Sequence, residues 1–334
     1  MFALFFERKT FNKFHNKYNK IMTVLNKENY RVVDPVLTNL AQGYTNSTMV
    51  SDSLFPIVQL NTHKGKIPKF NKTSFITRNT YRASGALSNR IDDVNFELLD
   101  FELRENDVEI PIDYLEEELS ASFLKLEQKV MMDLMDILSL NKETEIAVYA
   151  QDSNNYAVSS TTDCSSNLWD SGASTPIQVI KDAADNIRTK IGRMPNTAII
   201  GASVYRALIE HPAIIDRVKF AGVRSVNIKV LSELLNIEHI SIGYAQQTLD
   251  NIAFTDVWKD NMILAYVDKN EKKKRSEFNP SFGYTLQQKG CPEVDAYYEN
   301  GGKIKIIRCT DKYAVKVTCP EAAHLIHNCL TSLG

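Results

Sequence analysis

The stretch Pro111-Ile-Asp-Tyr-Leu-Glu-Glu-Glu-Leu-Ser-Ala-Ser-Phe-Leu-Lys-Leu-Glu-Gln-Lys-Val-Met-Met-Asp-Leu-Met-Asp-Ile-Leu-Ser-Leu-Asn-Lys-Glu-Thr-Glu-Ile-Ala-Val-Tyr-Ala150 decides how the chain is read. From Leu115, apolar residues recur at Leu119, Phe123, Leu126, Val130, Leu134 and Ile137, in steps of four, four, three, four, four and three. Those steps trace one face of a helix, not the alternation of a strand. Asp113 and Glu116 stand at its head as a capping pair would, with Pro111 just before them. No Gly or Pro follows until Gly172, so the spacing predicts a helix to about Tyr149, with Ser120-Ala121-Ser122 as the place for a kink. About 35 residues at ~1.5 Å each make a rod on the order of 50 Å, far beyond the ordinary helix. A rod this long either zips into a coiled coil or serves as a beam for flatter elements. The stripe fades after Leu138 and the flanking segments read as strands, which favours the beam.

Working outward, 334 residues suffice for a large core and about two domains. A composition of 43% apolar and 24% charged residues with net charge −2 points neither to disorder nor to a wholesale nucleic-acid binder. Cys164, Cys291, Cys309, Cys319 and Cys329 are odd in number and hold no C-x-x-C pair, as in a reducing compartment. No apolar run approaches the ~20 residues of a membrane span. Met1-Phe-Ala-Leu-Phe-Phe6 is interrupted by Glu7, Arg8 and Lys9 too early for a signal peptide.

Residues 1–31 carry seven Lys or Arg against Glu7 and Glu28, with Phe11, Phe14, Tyr18, Ile21 and Leu25 on one helical stripe. This reads either as a basic amphipathic arm that docks on a partner, a membrane surface or a polyanion, or as a loose terminus with Met22 as an alternative start. Residues 29–60 read as irregular, with Pro35 and Pro56 limiting regular structure.

An unusual charge division follows. Residues 64–90 hold seven cations (Lys64, Lys66, Lys69, Lys72, Arg78, Arg82, Arg90) and no carboxylate. Residues 92–118 hold twelve carboxylates, Asp113, Glu116, Glu117 and Glu118 among them, against Arg104 alone. Between Val94 and Val108 the apolar residues alternate with one slip, which predicts strands with a bulge. The expected picture is a two-stranded excursion with a basic tip, Gly65, Pro68 and Gly85 as turn residues, and an acidic root. A lone hairpin of that size does not hold itself in water. It lies on its own body, where the charge division is incidental, or on a neighbouring copy in a head-to-tail contact that closes into rings or lattices.

Beyond the helix, residues 153–175 form a polar loop containing Trp169, and an α/β domain follows. Thr175 or Ser174 caps a helix to Ile191, which Gly192 ends. Residues 196–201 read as a buried strand, 202–219 as a helix that Pro212 restarts, 228–235 as a helix and 238–243 as a strand. Residues 251–258 and 261–267 read as a pair of strands. Residues 303–308 and 313–319 read as long strands, with Gly301-Gly302 as a turn or hinge.

The search for reactive chemistry finds little. Ser203, in Gly201-Ala-Ser-Val-Tyr205, lacks the second Gly of a nucleophile elbow and reads as a helix-start residue. Cys319, His324, His327 and Cys329 are zinc-type ligands, but their spacing fits none of the usual sites. Lys272-Lys-Lys-Arg275 reads as a phosphate contact or a solvated loop. No phosphate-cradling Gly loop occurs. Nothing argues for an enzyme, and no catalytic residue, cofactor or metal site is assigned.

The order of these parts resembles the tailed-phage major capsid protein family, with its Hong Kong 97-type fold shared by encapsulin shells. The residues that carry the resemblance are Leu40-Ala-Gln-Gly-Tyr44, Leu54-Phe-Pro-Ile-Val58, Gly65-Lys-Ile-Pro68, Pro195-Asn-Thr-Ala-Ile-Ile-Gly201, His211-Pro-Ala-Ile-Ile-Asp-Arg217, Gly243-Tyr-Ala245 and Val257-Trp258. They are packing and turn residues, specific only in their order, and the match covers most of residues 35–330. The resemblance implies an α+β fold of four parts. These are an N-terminal arm (1–60), an extended hairpin loop (61–110), a peripheral domain with the spine helix and antiparallel strands (111–175 and 286–334), and an α/β axial domain (176–285). It implies a shell subunit forming hexamers and pentamers around double-stranded DNA, assembled in the host cytoplasm and resident in the virion. Its partners would be itself, a separate scaffolding protein, a portal and non-specifically held DNA, with no membrane. An encapsulin-like cargo compartment and a metal-dependent enzyme built on the Cys319–Cys329 cluster stand as alternatives. Joined to the charge pattern, the resemblance places Lys64, Lys66, Lys69, Lys72, Arg78, Arg82 and Arg90 of one copy against Asp113, Glu116, Glu117 and Glu118 of the next.

Overall fold

Pro35 starts regular structure instead of preventing it. Its missing N–H costs nothing at the first position of a helix, and Asp34 caps that helix by accepting from the Val36 and Leu37 amides at 2.8 and 3.0 Å. The computed structural model describes residues 33–69, 80–82, 84–85, 87–89, 97–119, 123–219, 225–248, 252–270 and 279–331. The arm of residues 1–31, the kink expected at 120–122, the run 272–275 and the apolar residues Val94 and Phe96 lie outside them.

In chain order the elements begin with helices α1 (Pro35–Gln42) and α2 (Ser51–Leu54) and strands β1 (Ile57–Leu60), β2 (Lys64–Pro68), β3 (Leu98–Glu102) and β4 (Arg104–Asp113). Helices α3 (Tyr114–Leu119) and α4 (Phe123–Gln151), strand β5 (Thr161–Asp163), helix α5 (Pro176–Ile191) and strand β6 (Thr197–Gly201) follow. Next come helices α6 (Ala202–Glu210), α7 (Pro212–Lys219) and α8 (Ile228–Leu235), then strands β7 (His239–Gly243), β8 (Gln246–Gln247), β9 (Thr255–Asp256) and β10 (Met262–Ala265). The last are β11 (Gly283–Gln288), β12 (Glu293–Glu299), β13 (Ile304–Val317) and β14 (Ala323–His327).

Several expectations need correction. Residues 29–60 contain α1, α2 and β1 where an irregular segment was expected, because both prolines sit at element starts. Gly65 and Pro68 belong to β2 and are not turn residues; Gly85, with φ +79°, is one. Pro111 lies inside β4, and the helical path starts only at Tyr114. The segments 251–258 and 261–267 do not pair with each other: β9 pairs with β8, while β10 runs between β6 and β14. The two strands expected at 303–308 and 313–319 are one 14-residue strand, since Cys309, Thr310 and Asp311 are buried and hide the alternation.

The buried face of α4 also differs from the stripe. Val130 and Leu134 are buried as the spacing suggests, and Met131, Met135 and Leu138 are buried beside them, but Ile137 is 45% exposed, and so is Leu115 on α3 at 52%. The last step of three, from Leu134 to Ile137, leaves the side on which Leu134 and Leu138 are buried. The buried face also continues past Leu138, through Glu143, Ile146, Ala147 and Ala150. A carboxylate and two alanines give almost no hydropathy signal.

By its internal contacts the chain divides into two units. The first comprises Met1–Gly43, Val108–Leu134 and Pro292–Cys309. Here α1 is fastened to β12 by the Thr38 hydroxyl, which accepts from the Val294 amide at 3.0 Å and donates to its carbonyl at 3.3 Å. The buried Asp295 carboxylate takes two bonds from the Arg308 guanidinium, at 2.6 and 3.3 Å, which raises the Arg308 pKa. Glu127 on α4, also buried, is met by the Lys305 ammonium.

The second unit comprises Tyr44–Asp107, Met135–Cys291 and Thr310–Gly334. Strand β11 pairs in parallel with β1 and antiparallel with β13, from Gly283↔Val317 to Gln287↔Tyr313. A second sheet runs β5-β14-β10-β6-β7, with all of Thr197–Gly201 and Met262–Ala265 buried at its centre. Helix α5 begins after Thr175 with Pro176 and ends at the left-handed Gly192, and it buries Ile177, Ile180, Ala184, Ile187 and Ile191. Trp258 packs against Gly243, where a Cβ would sit 2.2 Å from the indole, so only glycine fits there.

Glu143 is the centre of this core. It is fully buried, and its carboxylate accepts from the amides of Val50 and Ser51 at 3.0 and 2.9 Å and from the Trp258 indole N–H at 2.7 Å. Three donors aimed at one carboxylate compensate the loss of water around the charge. In Glu143→Gln the amide nitrogen faces a donor whichever way the side chain is turned. We expect a loss of about 2–3 kcal/mol, read as a lower denaturation midpoint by circular dichroism.

His324 on β14 is 3% exposed, shares a 2.8 Å hydrogen bond between Nε2 and the Thr162 hydroxyl, and leaves Nδ1 without a partner. Burial, with the Lys190 charge a smaller cause, depresses its pKa from 6.5 to about 4. Between those values the unfolded chain binds a proton that the folded chain refuses, so stability falls as pH drops through that window. The expected contribution is about 3 kcal/mol. Melts of wild type against His324→Gln from pH 7 to 4 should show a steeper decline in the wild type.

Candidate inter-subunit surface

The charged excursion is built by β2 and β3, which pair antiparallel with Lys64 opposite Glu102, Lys66 opposite Asp100 and Ile67 opposite Leu99. Backbone bonds from Leu103 N–H to the His63 carbonyl (2.9 Å) and from Lys69 N–H to the Glu97 carbonyl (2.7 Å) extend the pairing at both ends. Strand pleating sends alternate side chains to one side, and there the opposed charges meet. Lys64–Glu102 lie at 2.6 Å and Lys66–Asp100 at 3.5 Å, while Lys69–Glu97, just beyond the ends of β2 and β3, lie at 2.9 Å. The other side carries Ile67 and Phe101, both buried with Val58, Leu103, Tyr284 and Leu286. Gly65 lies opposite Phe101, whose ring would be 2.9 Å from any Cβ at that position.

Three of the seven predicted cations therefore pair within their own chain, with side chains still substantially exposed. Each such pair is worth about 0.2–1 kcal/mol. Arg82 is exposed, while Lys72, Arg78 and Arg90 lie outside the described residues. On the acidic side, Asp113 accepts from the Leu115 amide at 2.9 Å and so caps α3, as its position foretold. Glu116 is exposed; Glu117 and Glu118 fall within α3, their side chains outside the described set. Within the chain, Lys64, Lys66 and Lys69 meet Glu102, Asp100 and Glu97, not the four predicted carboxylates.

The signal for the ladder was present in the sequence: each lysine and its partner have residue numbers adding to the same total, as an antiparallel register requires. The partners of β4 were not so visible. Glu105, Asp107, Glu109 and Asp113 alternate on its exposed side. Glu105 pairs with Lys312 at 2.8 Å. Tyr297 donates to Glu109 at 2.9 Å, and this bond to a carboxylate raises the phenol pKa. The partners lie 207 and 188 residues later in the chain, on β13 and β12. Beside the β2–β3 pair runs a groove of about 1360 Å³, lined among others by Lys64, Glu102, Glu145, Val148 and Tyr313, with Val148 66% exposed. It offers an extended, mixed-charge seat, in which the Tyr313 hydroxyl donates to Glu145 at 2.8 Å.

The zinc-type cluster does not converge. His324 and His327 are three apart on β14 and so point to opposite faces. Among the described residues no group of three or more His, Cys, Asp or Glu is placed to hold a metal ion. Ser203 sits in the first turn of α6, as a helix-start residue does. No helix among the described residues is long and apolar enough to cross a membrane.

No family model matches the chain. It is 41% identical over 298 residues to the major capsid protein of Burkholderia phage BcepMu, covering 89% of this chain and 96% of that one. A second relative, the major capsid protein of Pseudomonas phage JBD67, is 21% identical over 246 residues, 71% of this chain and 78% of that one. Among solved structures, a phage-related protein from Bordetella bronchiseptica RB50 aligns with a TM-score of 0.77 at 31% identity, covering 90% of this chain and 98% of the other. The capsid of cyanophage P-SCSP1u, at TM-score 0.51 and 10% identity over 85% and 89% of the two chains, shares the fold alone. With identity at this level along nearly the whole of both sequences, the chain belongs to the phage major capsid protein family, with its Hong Kong 97-type fold.

Proposed function

We propose that the chain assembles with copies of itself, as hexamers and pentamers, into an icosahedral shell that encloses double-stranded DNA in a phage or prophage particle. The observation that carries this reading is the 41% identity, across 89% of the chain, to a protein named major capsid protein. The role is structural, as the names of the two curated relatives suggest. The cargo-compartment alternative has less support, because both curated relatives are phage proteins. Contacts with packaged DNA would be electrostatic and blind to sequence. A separate scaffolding protein and a portal complete the assembly, which takes place in the host cytoplasm.

Within that reading, residues 1–60 form the arm, 61–110 the extended loop, 111–175 with 286–334 the peripheral domain, and 176–285 the axial domain. The extended loop lies across a neighbour, its basic segment over Asp113, Glu116, Glu117 and Glu118 of the next copy. Support comes from the charge division and from the exposure of Glu116 on a helix that starts directly after β4. Lys64, Lys66 and Lys69 meet carboxylates of their own strand pair, so the tip cations carry most of the contact between copies.

Two measurements check this. Electron microscopy of the chain, expressed alone and with the products of its neighbouring genes, should show closed shells; a chain that stays monomeric in both cases would refute the shell reading. Reversing Glu116, Glu117 and Glu118 to Lys should cut shell yield severely while circular dichroism stays that of the folded chain. Unchanged shells at low and high salt would remove the loop contact from the account.

A further inference from the structure

Two cysteines far apart in the chain end side by side in the second unit. Strand β14 runs parallel to β5, with Leu325 beside Thr161 and His327 beside Asp163. Past the last rung the two segments stay joined. The Cys164 amide donates to the His327 carbonyl at 3.0 Å, and the Trp169 amide to the Cys329 carbonyl at 2.7 Å. On the outer side, the exposed Asp163 carboxylate accepts from the Asn328 side chain at 3.1 Å. The next residue of each segment, Cys164 and Cys329, lies on the inner side, 1% and 0% exposed. Neighbouring strands run about 4.8 Å apart, which falls within the Cα separation of roughly 4.4–6.8 Å that a disulfide spans. The two thiols interact there. The Cys329 S–H donates to the Cys164 sulfur, which lowers the Cys164 pKa and raises that of Cys329. The Ile326 carbonyl, 3.8 Å from the Cys329 sulfur, is a second acceptor for that S–H. Cys309, by contrast, is pushed up to about 12 by burial.

We propose that Cys164 and Cys329 are a redox pair that a water-sized peroxide converts into a disulfide, fastening the end of β14 to the turn after β5. The proposal does not depend on the shell reading. Burial closes both sulfurs to bulky reagents, while a donor beside Cys164 favours the reactive thiolate. The Cys164 thiolate attacks one peroxide oxygen, the O–O bond breaks, and hydroxide leaves and takes up a proton as water, giving a sulfenic acid. The Cys329 sulfur then attacks the Cys164 sulfur. The S–S bond forms, the S–O bond breaks, and a second water carries off the Cys329 proton. Two thiols are oxidised and one peroxide is reduced to two waters. The link closes a long stretch of chain, which restricts the unfolded state most.

The test uses the full chain treated with hydrogen peroxide while folded, then unfolded and blocked with a maleimide. Before treatment all five thiols are free; afterwards three should still take the maleimide, and digestion should give one peptide pair joined through Cys164 and Cys329. The melting midpoint should rise by about 5 °C or more and return on reduction. Cys164→Ser and Cys329→Ser should each show neither the link nor the rise. Five blocked thiols after peroxide would overturn the proposal. So would a link through Cys291, Cys309 or Cys319, or sulfinic acid at Cys164 in place of a link. These outcomes are read on the wild-type chain, so they stand whether or not the variants fold.

Discussion

The second unit depends on a buried carboxylate. Glu143 takes the amides of Val50 and Ser51 and the indole of Trp258. It thereby joins the later part of α4 to the short helix α2 and to the segment that fills the space left by Gly243. An isolated charge in such a place would be ruinous, and three well-placed donors make it tolerable. Hydrophobic contact alone does not fix a rotation of α4 about its axis. A carboxylate that must meet three donors does.

The first unit uses the same device with cations. Asp295 with Arg308 and Glu127 with Lys305 place charges inside and then match them. Surface charges obey a weaker logic. The β2–β3 ladder satisfies three lysines within one chain, so the contrast between the basic and acidic segments is partly consumed before any neighbour arrives. Large apolar side chains are also left exposed, at Phe254 and at Val148 on α4.

Much of this was legible in the amino-acid order. Helix α5 with its Gly192 stop, the restart at Pro212, helix α8 and the buried strand β6 all follow from local chemistry, and local chemistry decided them. The beam-like α4 was visible from its periodicity, but its buried face was not, because that face is completed by Glu143, Ala147 and Ala150. The prolines at 35 and 111 misled in opposite ways: one begins a helix and the other lies within a strand. The sheet orders, with β10 between β6 and β14, depend on which remote segments meet, and periodicity carries no record of that. For the candidate surface, sign and location were readable. The Lys312 and Tyr297 partners were not, since nothing in β4 points to strands so far along the chain.

The β2–β3 pairing has an evolutionary corollary. Sliding one strand by two residues in one direction would bring Lys64 opposite Arg104, so the charge order penalises slippage that the backbone alone would permit. Descendants of this sequence can therefore exchange lysine for acid at position 64, 66 or 69 most easily when the facing position swaps sign as well. Positions 65 and 101 are tied by bulk in the same way, because the phenyl ring occupies the space that a side chain at 65 would need. Drift along this part of the chain should proceed in correlated couples.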